Sequence, residues 1–167
     1  MKKTNARYIV TGAIIAAMYA ALTFLSNSVG LAFGPIQFRM SEALVILPVF
    51  TPAAIPGLVI GCLVSNIFSF NIADMLFGTI ATLIAAILTR KFRNVKTFIL
   101  PLLSLVPPIL FNALIVGAEI SLLYLEGNSF LYGFIISAIE VGLSEAAVCF
   151  TLGIPLYLAL KAKRNIF

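Results

Sequence analysis

Apolar residues run along this chain in long blocks separated by short polar or basic stretches: Tyr8 to about Leu25, Ser41 to Phe70, Asp74 to Thr89, Thr97 to Leu125 and Phe130 to Leu160. Blocks of about 20 residues are the length an α-helix needs to cross a bilayer, where every backbone polar group must be paired internally. The second block carries Pro48, Pro52 and Pro56, and each proline removes a helix donor and clashes with the preceding turn. The block therefore divides, giving a short helix of about Ser41 to Phe50 and a second helix after it. The pattern predicts an all-α integral membrane protein, one compact bundle of six transmembrane helices in a single domain over 1–167. At about 1.5 Å per residue the short helix covers about half of a hydrocarbon core of about 30 Å. It must be shielded by neighbouring protein or lie against a cavity. Ser26 to Met40, with Asn27, Gly30, Gly34 and Pro35, reads as a loop long enough to act as a lid, and Glu126-Gly127-Asn128-Ser129 as the polar tip between the last two helices.

Composition agrees. At 62% hydrophobic and 10% charged, with a mean hydropathy of +1.13, the chain has too little polar surface to coat a soluble globule. Its two cysteines, Cys62 and Cys149, lie inside apolar runs and argue for no disulfide scaffold. Of the 11 Lys and Arg, all but Arg39 fall in three clusters: Lys2, Lys3 and Arg7; Arg90, Lys91, Arg93 and Lys96; Lys161, Lys163 and Arg164. The positive-inside rule assigns such clusters to the cytoplasmic face of a cell membrane, so the basic balance does not point to nucleic acid. Clusters share a face only if an even number of crossings separates them. Six crossings satisfy that with both termini cytoplasmic, whereas one long kinked second helix would leave five and break the parity.

The other charged groups are few. With the clusters and the tip residue Glu126 set aside, Arg39, Glu42, Asp74, Glu119, Glu140 and Glu145 remain, five acids to one base at or near membrane depth. Such groups are costly in hydrocarbon and usually face a cavity or a partner. Their excess negative charge calls for a cationic guest or for protons. On the predicted topology most lie in the outer half. Asn112 and Glu119, seven residues apart, share a face of helix five; Ser137, Glu140 and Ser144 form a stripe on helix six; Asn66 adds an amide at similar depth. With Phe38, Phe68, Phe70 and Phe77 around them, Arg39, Glu42, Asn66, Asp74, Asn112, Glu119 and Glu140 would form an outward-facing pocket for a flat polar molecule. Glu145 lies off the stripe and reads as structural. The alternative pairs Arg39 with Glu42 and makes Asp74 a helix cap.

Helix one carries two small-residue ridges, Gly12, Ala16 and Ala20 beside Ala13, Ala17 and Ala21. Small side chains permit close helix approach in lipid, either by an external partner or within the bundle. Gly57 and Gly61 repeat the feature on helix three, read as internal. No histidine is present, which removes the Ser-His-Asp triad, the Cys-His pair and the His-Glu-x-x-His zinc motif, and no P-loop occurs. The chain is not expected to be an enzyme or to hold a metal or cofactor of its own.

The size, the six-helix pattern and the alanine-rich first helix resemble the substrate-binding S component of energy-coupling factor (ECF) vitamin transporters. More closely, Pro35-Ile-Gln-Phe-Arg-Met-Ser-Glu-Ala-Leu44, Thr51-Pro-Ala-Ala-Ile-Pro-Gly-Leu58, Gly61-Cys-Leu63 with Asn66, and Asp74 followed by Phe77-Gly-Thr-Ile-Ala-Thr82 look like the QueT group. That resemblance implies uptake of a queuosine precursor, an aminomethyl deazaguanine, captured from outside. It also implies that Ala13, Ala16, Ala17, Ala20 and Ala21 dock on a transmembrane coupling subunit, and that two ATPase subunits use the ATP. The precursor is planar, with adjacent ring donors that one carboxylate can accept together and a cationic arm for a second. Arg39 or Asn66 could donate to its ring carbonyl. Rival readings are an S component for another cationic or flat vitamin-like solute, and a non-transport assembly subunit.

Overall fold

The computed structural model describes residues 3–33, 37–69, 71–95, 102–123 and 129–163. Within them the chain forms six helical segments: α1 (Lys3–Ser28), a 3-10 segment (Met40–Val49), α2 (Ala54–Ile67), α3 (Asp74–Asn94), α4 (Leu102–Leu123) and α5 (Phe130–Ala162). Four of them, α1, α3, α4 and α5, are long and apolar enough to cross a membrane, while the 3-10 segment and α2 have 10 and 14 residues. The protein is a multi-pass membrane bundle. The tip residues 124–128, and Lys2, Gly34, Pro35, Phe70, Lys96 and Arg164, lie outside the described residues.

The chain divides at the prolines, as predicted, but the short segment is a 3-10 helix rather than an α-helix. At about 2.0 Å per residue, ten residues reach about 20 Å, more than an α-helix of that length. Runs this long are uncommon because i→i+3 hydrogen bonds have poorer geometry. Here the surroundings enclose it: every residue from Ser41 to Pro48 is buried. Both of its ends are tied by side chains, with Ser26 Oγ accepting from the Met40 N–H at 2.9 Å and Arg90 Nη1 donating to the Pro48 carbonyl at 2.9 Å. At the end of α1, Gly30 takes φ +74°, and the N–H groups of Gly30 and Leu31 donate to the carbonyls of Asn27 and Ser26. This pairing closes the helix through a left-handed residue that glycine adopts without steric cost.

The α1–α2 seam explains one of the two alanine ridges. A methyl group added at Gly57 would stand 2.7 Å from the Gly12 carbonyl oxygen, and one at Gly61 would stand 2.8 Å from the Ala16 carbonyl oxygen. The Gly12/Ala16/Ala20 ridge is therefore packed inside the bundle against α2, and Ala16 and Ala20 are half-buried. Ala13, Ala17 and Ala21 remain exposed. On the far side, a methyl at Gly117 of α4 would meet Ala138 Cα of α5 at 2.8 Å.

In α4, Pro107 and Pro108 interrupt the helix ladder, since neither can donate to the carbonyl four residues before it. The Ser104 carbonyl, left without the Pro108 donor, instead accepts from the hydroxyl of buried Thr89 in α3 at 2.9 Å. Each of the last three helices also contains one π segment: Asp74–Gly78 in α3, Asn112–Val116 in α4 and Cys149–Gly153 in α5. Single π turns insert one residue into an α-helix and recur at functional sites.

Contacts at helix ends fix the directions. The Tyr8 hydroxyl meets the Pro52 carbonyl, Arg90 meets Pro48, and Thr89 meets Ser104, so the start of α1, the α3–α4 connection and the end of α5 share one end of the bundle. Arg7, Arg90, Lys91, Arg93, Lys161 and Lys163 all belong to that end. Among the described basic residues, Arg39 alone stands at the other.

Candidate functional site

The site is built at the end away from the basic clusters, where the described part of the α1 to 3-10 connection folds down onto the helices. Ala32, Gln37 and Arg39 are buried there, and the Phe38 N–H donates to the Leu31 carbonyl at 2.7 Å. This stretch therefore packs into the bundle and carries site residues.

Arg39 anchors it. Its Nε donates to the Ala32 carbonyl at 2.7 Å and its Nη1 to Asn66 Oδ1 at 3.1 Å, with its guanidinium 5.1 Å over the Phe33 ring. Asn66 passes the link on, its Nδ2 donating to the Asp74 backbone carbonyl at 2.8 Å. One cation thus connects the loop, α2 and the start of α3. Gly78 makes room for that amide, because a methyl there would lie 2.7 Å from Asn66 Nδ2. Arg39 gives these hydrogen bonds to partners other than Glu42, with which it interacts through charge alone, and Asp74 makes no capping hydrogen bond at the start of α3.

Glu42, on the 3-10 segment, is fully enclosed. The Tyr19 hydroxyl of α1 donates to its Oε1, whereas its Oε2 has no donor. Glu145 of α5 is also buried, beside the Asn112 amide, with Cys149 Sγ at 3.7 Å from its Oε1. The carboxyls of Asp74 and Glu119 meet each other, close enough to share a proton, and no donor from any other described residue reaches their four oxygens. The described bundle therefore buries four carboxyls, Glu42, Asp74, Glu119 and Glu145, with a single guanidinium. Leaving such groups unpaired costs several kcal/mol each unless protons or cations join them.

A cavity of about 20 Å³ opens among these groups, lined by Gln37, Arg39, Glu42, Gly78, Thr82, Asn112, Val116, Val141, Ser144, Glu145 and Val148. Its space suits about one water molecule. A flat heterocycle can occupy it only if the walls part.

Of the residues singled out in the sequence, Arg39, Glu42 and Asn112 line the cavity and Asn66 lies directly behind Arg39. Asp74 and Glu119 stand one turn from the lining residues Gly78 and Val116. Glu140 is partly exposed and does not line the cavity. Glu145, read as structural, does. The two readings of α5 differ by one residue of register: Ser137, Glu140 and Ser144 follow i, i+3, i+7, while the buried face follows Ser137, Val141 and Glu145 at i, i+4, i+8. Both patterns lie on one side of a helix, and the close approach of Ala138 and Gly142 to α4 selects the second. The expected aromatic wall is also absent among the described lining residues. Phe68 is 52% exposed and stacks edge-on with Phe24, and Phe77 is 40% exposed.

A family model described as QueT transporter matches residues 9–162. A protein of Lactococcus lactis subsp. cremoris (strain MG1363), named Queuosine precursor transporter QueT, is 42% identical over 84 residues, which make up 50% of this chain and 50% of that relative. The match thus spans about half the length of the relative. No solved structure matches.

Proposed function

The chain belongs to the QueT transporter family, and we propose that it is the S component of an ECF-type transporter, which captures an aminomethyl deazaguanine, a queuosine precursor, from outside the cell. A coupling subunit and two ATPase subunits then drive uptake. The observation that carries this reading is a cavity lined by Arg39, Glu42 and Glu145, with Asp74 and Glu119 buried about one turn beyond it, at the end of the bundle opposite the basic clusters. An acid-rich site selects a cation, and the positive-inside rule turns that end outward, with six crossings and both ends of the chain in the cytoplasm. The name of the lactococcal relative supports the solute class.

Binding requires the walls to part. Gln37 and Arg39 are carried by a connection rather than by a helix interior, which makes them the lining residues most easily displaced. Arg39 or Asn66 serves the ring carbonyl, and carboxylates serve the ring donors and the arm. Docking on the coupling subunit falls to α1, where Ala13, Ala17 and Ala21 are exposed beside an apolar groove of about 330 Å³ lined by Ile14, Met18, Leu156 and Leu160 among others. Ala16 and Ala20 support that surface from its half-buried edge.

Calorimetric titration of the purified protein against a panel of flat cationic solutes tests the reading. The aminomethyl deazaguanine is expected to bind best, and Asn112→Ala and Glu145→Gln to weaken it at least about tenfold, as loss of a charged hydrogen-bond partner does. Tighter binding of an unrelated vitamin would replace the solute class. Absence of binding across the panel would favour an assembly subunit.

A further inference from the structure

We propose that the facing carboxyls of Asp74 and Glu119 are the subsite for the primary ammonium of the solute, one helical turn beyond the cavity. This rests on the solute class proposed above and assigns its cationic arm to one pair of acids.

Asp74 and Glu119 are 2% and 1% exposed, and none of their four carboxyl oxygens has a hydrogen-bond donor from another described residue. Among the described residues, every other buried acid has at least one oxygen served: Glu42 by Tyr19, and Glu145 by Cys149. Arg39, whose charge acts on both acids, gives its hydrogen bonds to the Ala32 carbonyl and Asn66 and none to either carboxyl. Two close carboxyls without outside donors are compatible only when a proton or another cation joins them. An alkylammonium is a compact charge with three donors, enough to serve both groups. A divalent metal fits less well, because calcium and magnesium take about six to eight oxygen ligands, and among the described residues no cluster of three or more His, Cys, Asp or Glu is placed to hold one.

The pair is also reachable from the cavity. Gly78 lies four residues after Asp74 and Val116 three before Glu119, and both line the cavity. Each is thus about one turn from its acid along the same helix. A ring held among Arg39, Glu42 and Asn112 would extend a short arm along this wall.

The test compares 7-aminomethyl-7-deazaguanine with its 7-cyano counterpart, which keeps the ring and lacks the ammonium, by calorimetric titration of the full-length protein. Wild-type protein is expected to favour the amine by at least about tenfold, in the range for a buried charge pair. Asp74→Asn with Glu119→Gln is expected to remove that preference while nitrile affinity stays within about threefold, and retained nitrile binding shows that the variant is folded. If the double variant loses both ligands, Glu119→Gln alone carries the comparison with the same expectation. A preference for the amine that survives substitution overturns the subsite, and so does a wild type that binds both compounds equally. Binding of neither compound by wild type overturns the solute class, and the subsite with it.

Discussion

Tyr19 illustrates how a single polar atom can hold part of this site. It is an aromatic in a run of small and aliphatic residues, and its ring packs in the core with Leu44, Leu58 and Cys62 while its hydroxyl serves Glu42. The sequence singled out Glu42 because a carboxylate in an apolar block stands out. Nothing in the spacing disclosed Tyr19, since tyrosine is ordinary in membrane helices and its partner lies 23 residues away. Tyr19→Phe keeps the ring and leaves Glu42 without a donor, at a cost of about 1–3 kcal/mol for a buried group stripped of its partner. Thermal unfolding in detergent is expected to shift down accordingly, and a variant as stable as wild type would show that Glu42 draws its support from elsewhere. The acids were legible because charge in hydrocarbon is conspicuous. The hydroxyls, amide faces and glycine gaps that seat them were not, because they are indistinguishable in sequence from packing residues.

Among the elements, the prolines and the apolar blocks fixed how many segments form and where the second block divides. The type of the short segment did not follow from them, because burial on all sides, which lets a ten-residue 3-10 run persist, is a property of the assembled bundle. The π segments are a second source of error. Asn112 and Glu119 share a face at 3.6 residues per turn, but a π segment begins at Asn112 and ends at Val116. One inserted residue offsets the helix by about 100°. Asn112 accordingly stands by Glu145 while Glu119 turns to Asp74 on α3. The α3–α4 contact gives an element-scale prediction. Thr89→Val leaves the Ser104 carbonyl with neither its helix donor nor the hydroxyl, and is expected to destabilise the protein by about 1–3 kcal/mol. Thr89→Ser, which keeps the donor, is expected to lose less in the same unfolding measurement; equal losses would assign the effect to packing.

For the whole molecule, the two ridges of α1 separate structural from partner roles. Ala16 lies on the seam with Gly61, where an added methyl already has no room. Ala16→Leu is therefore expected to lower stability and solute binding together, by the 1–3 kcal/mol or so that overpacking costs. Ala17→Leu projects from the surface. It is expected to leave stability and binding unchanged and to abolish uptake in cells supplied with the coupling and ATPase subunits. Full uptake by Ala17→Leu would move the docking surface off this ridge.

The site takes Arg39 from a connection, Glu42 from the 3-10 segment, Asn66 from α2, Asp74 from α3, Asn112 and Glu119 from α4 and Glu145 from α5. It consequently exists in no shorter piece of the nascent chain. Synthesis runs from the amino end, so Glu42 and Asp74 leave the ribosome before Asn112, Glu119 and Glu145 have been made. Insertion of α5 completes the enclosure, and until then the early carboxyls depend on water, protons or the insertion machinery for company.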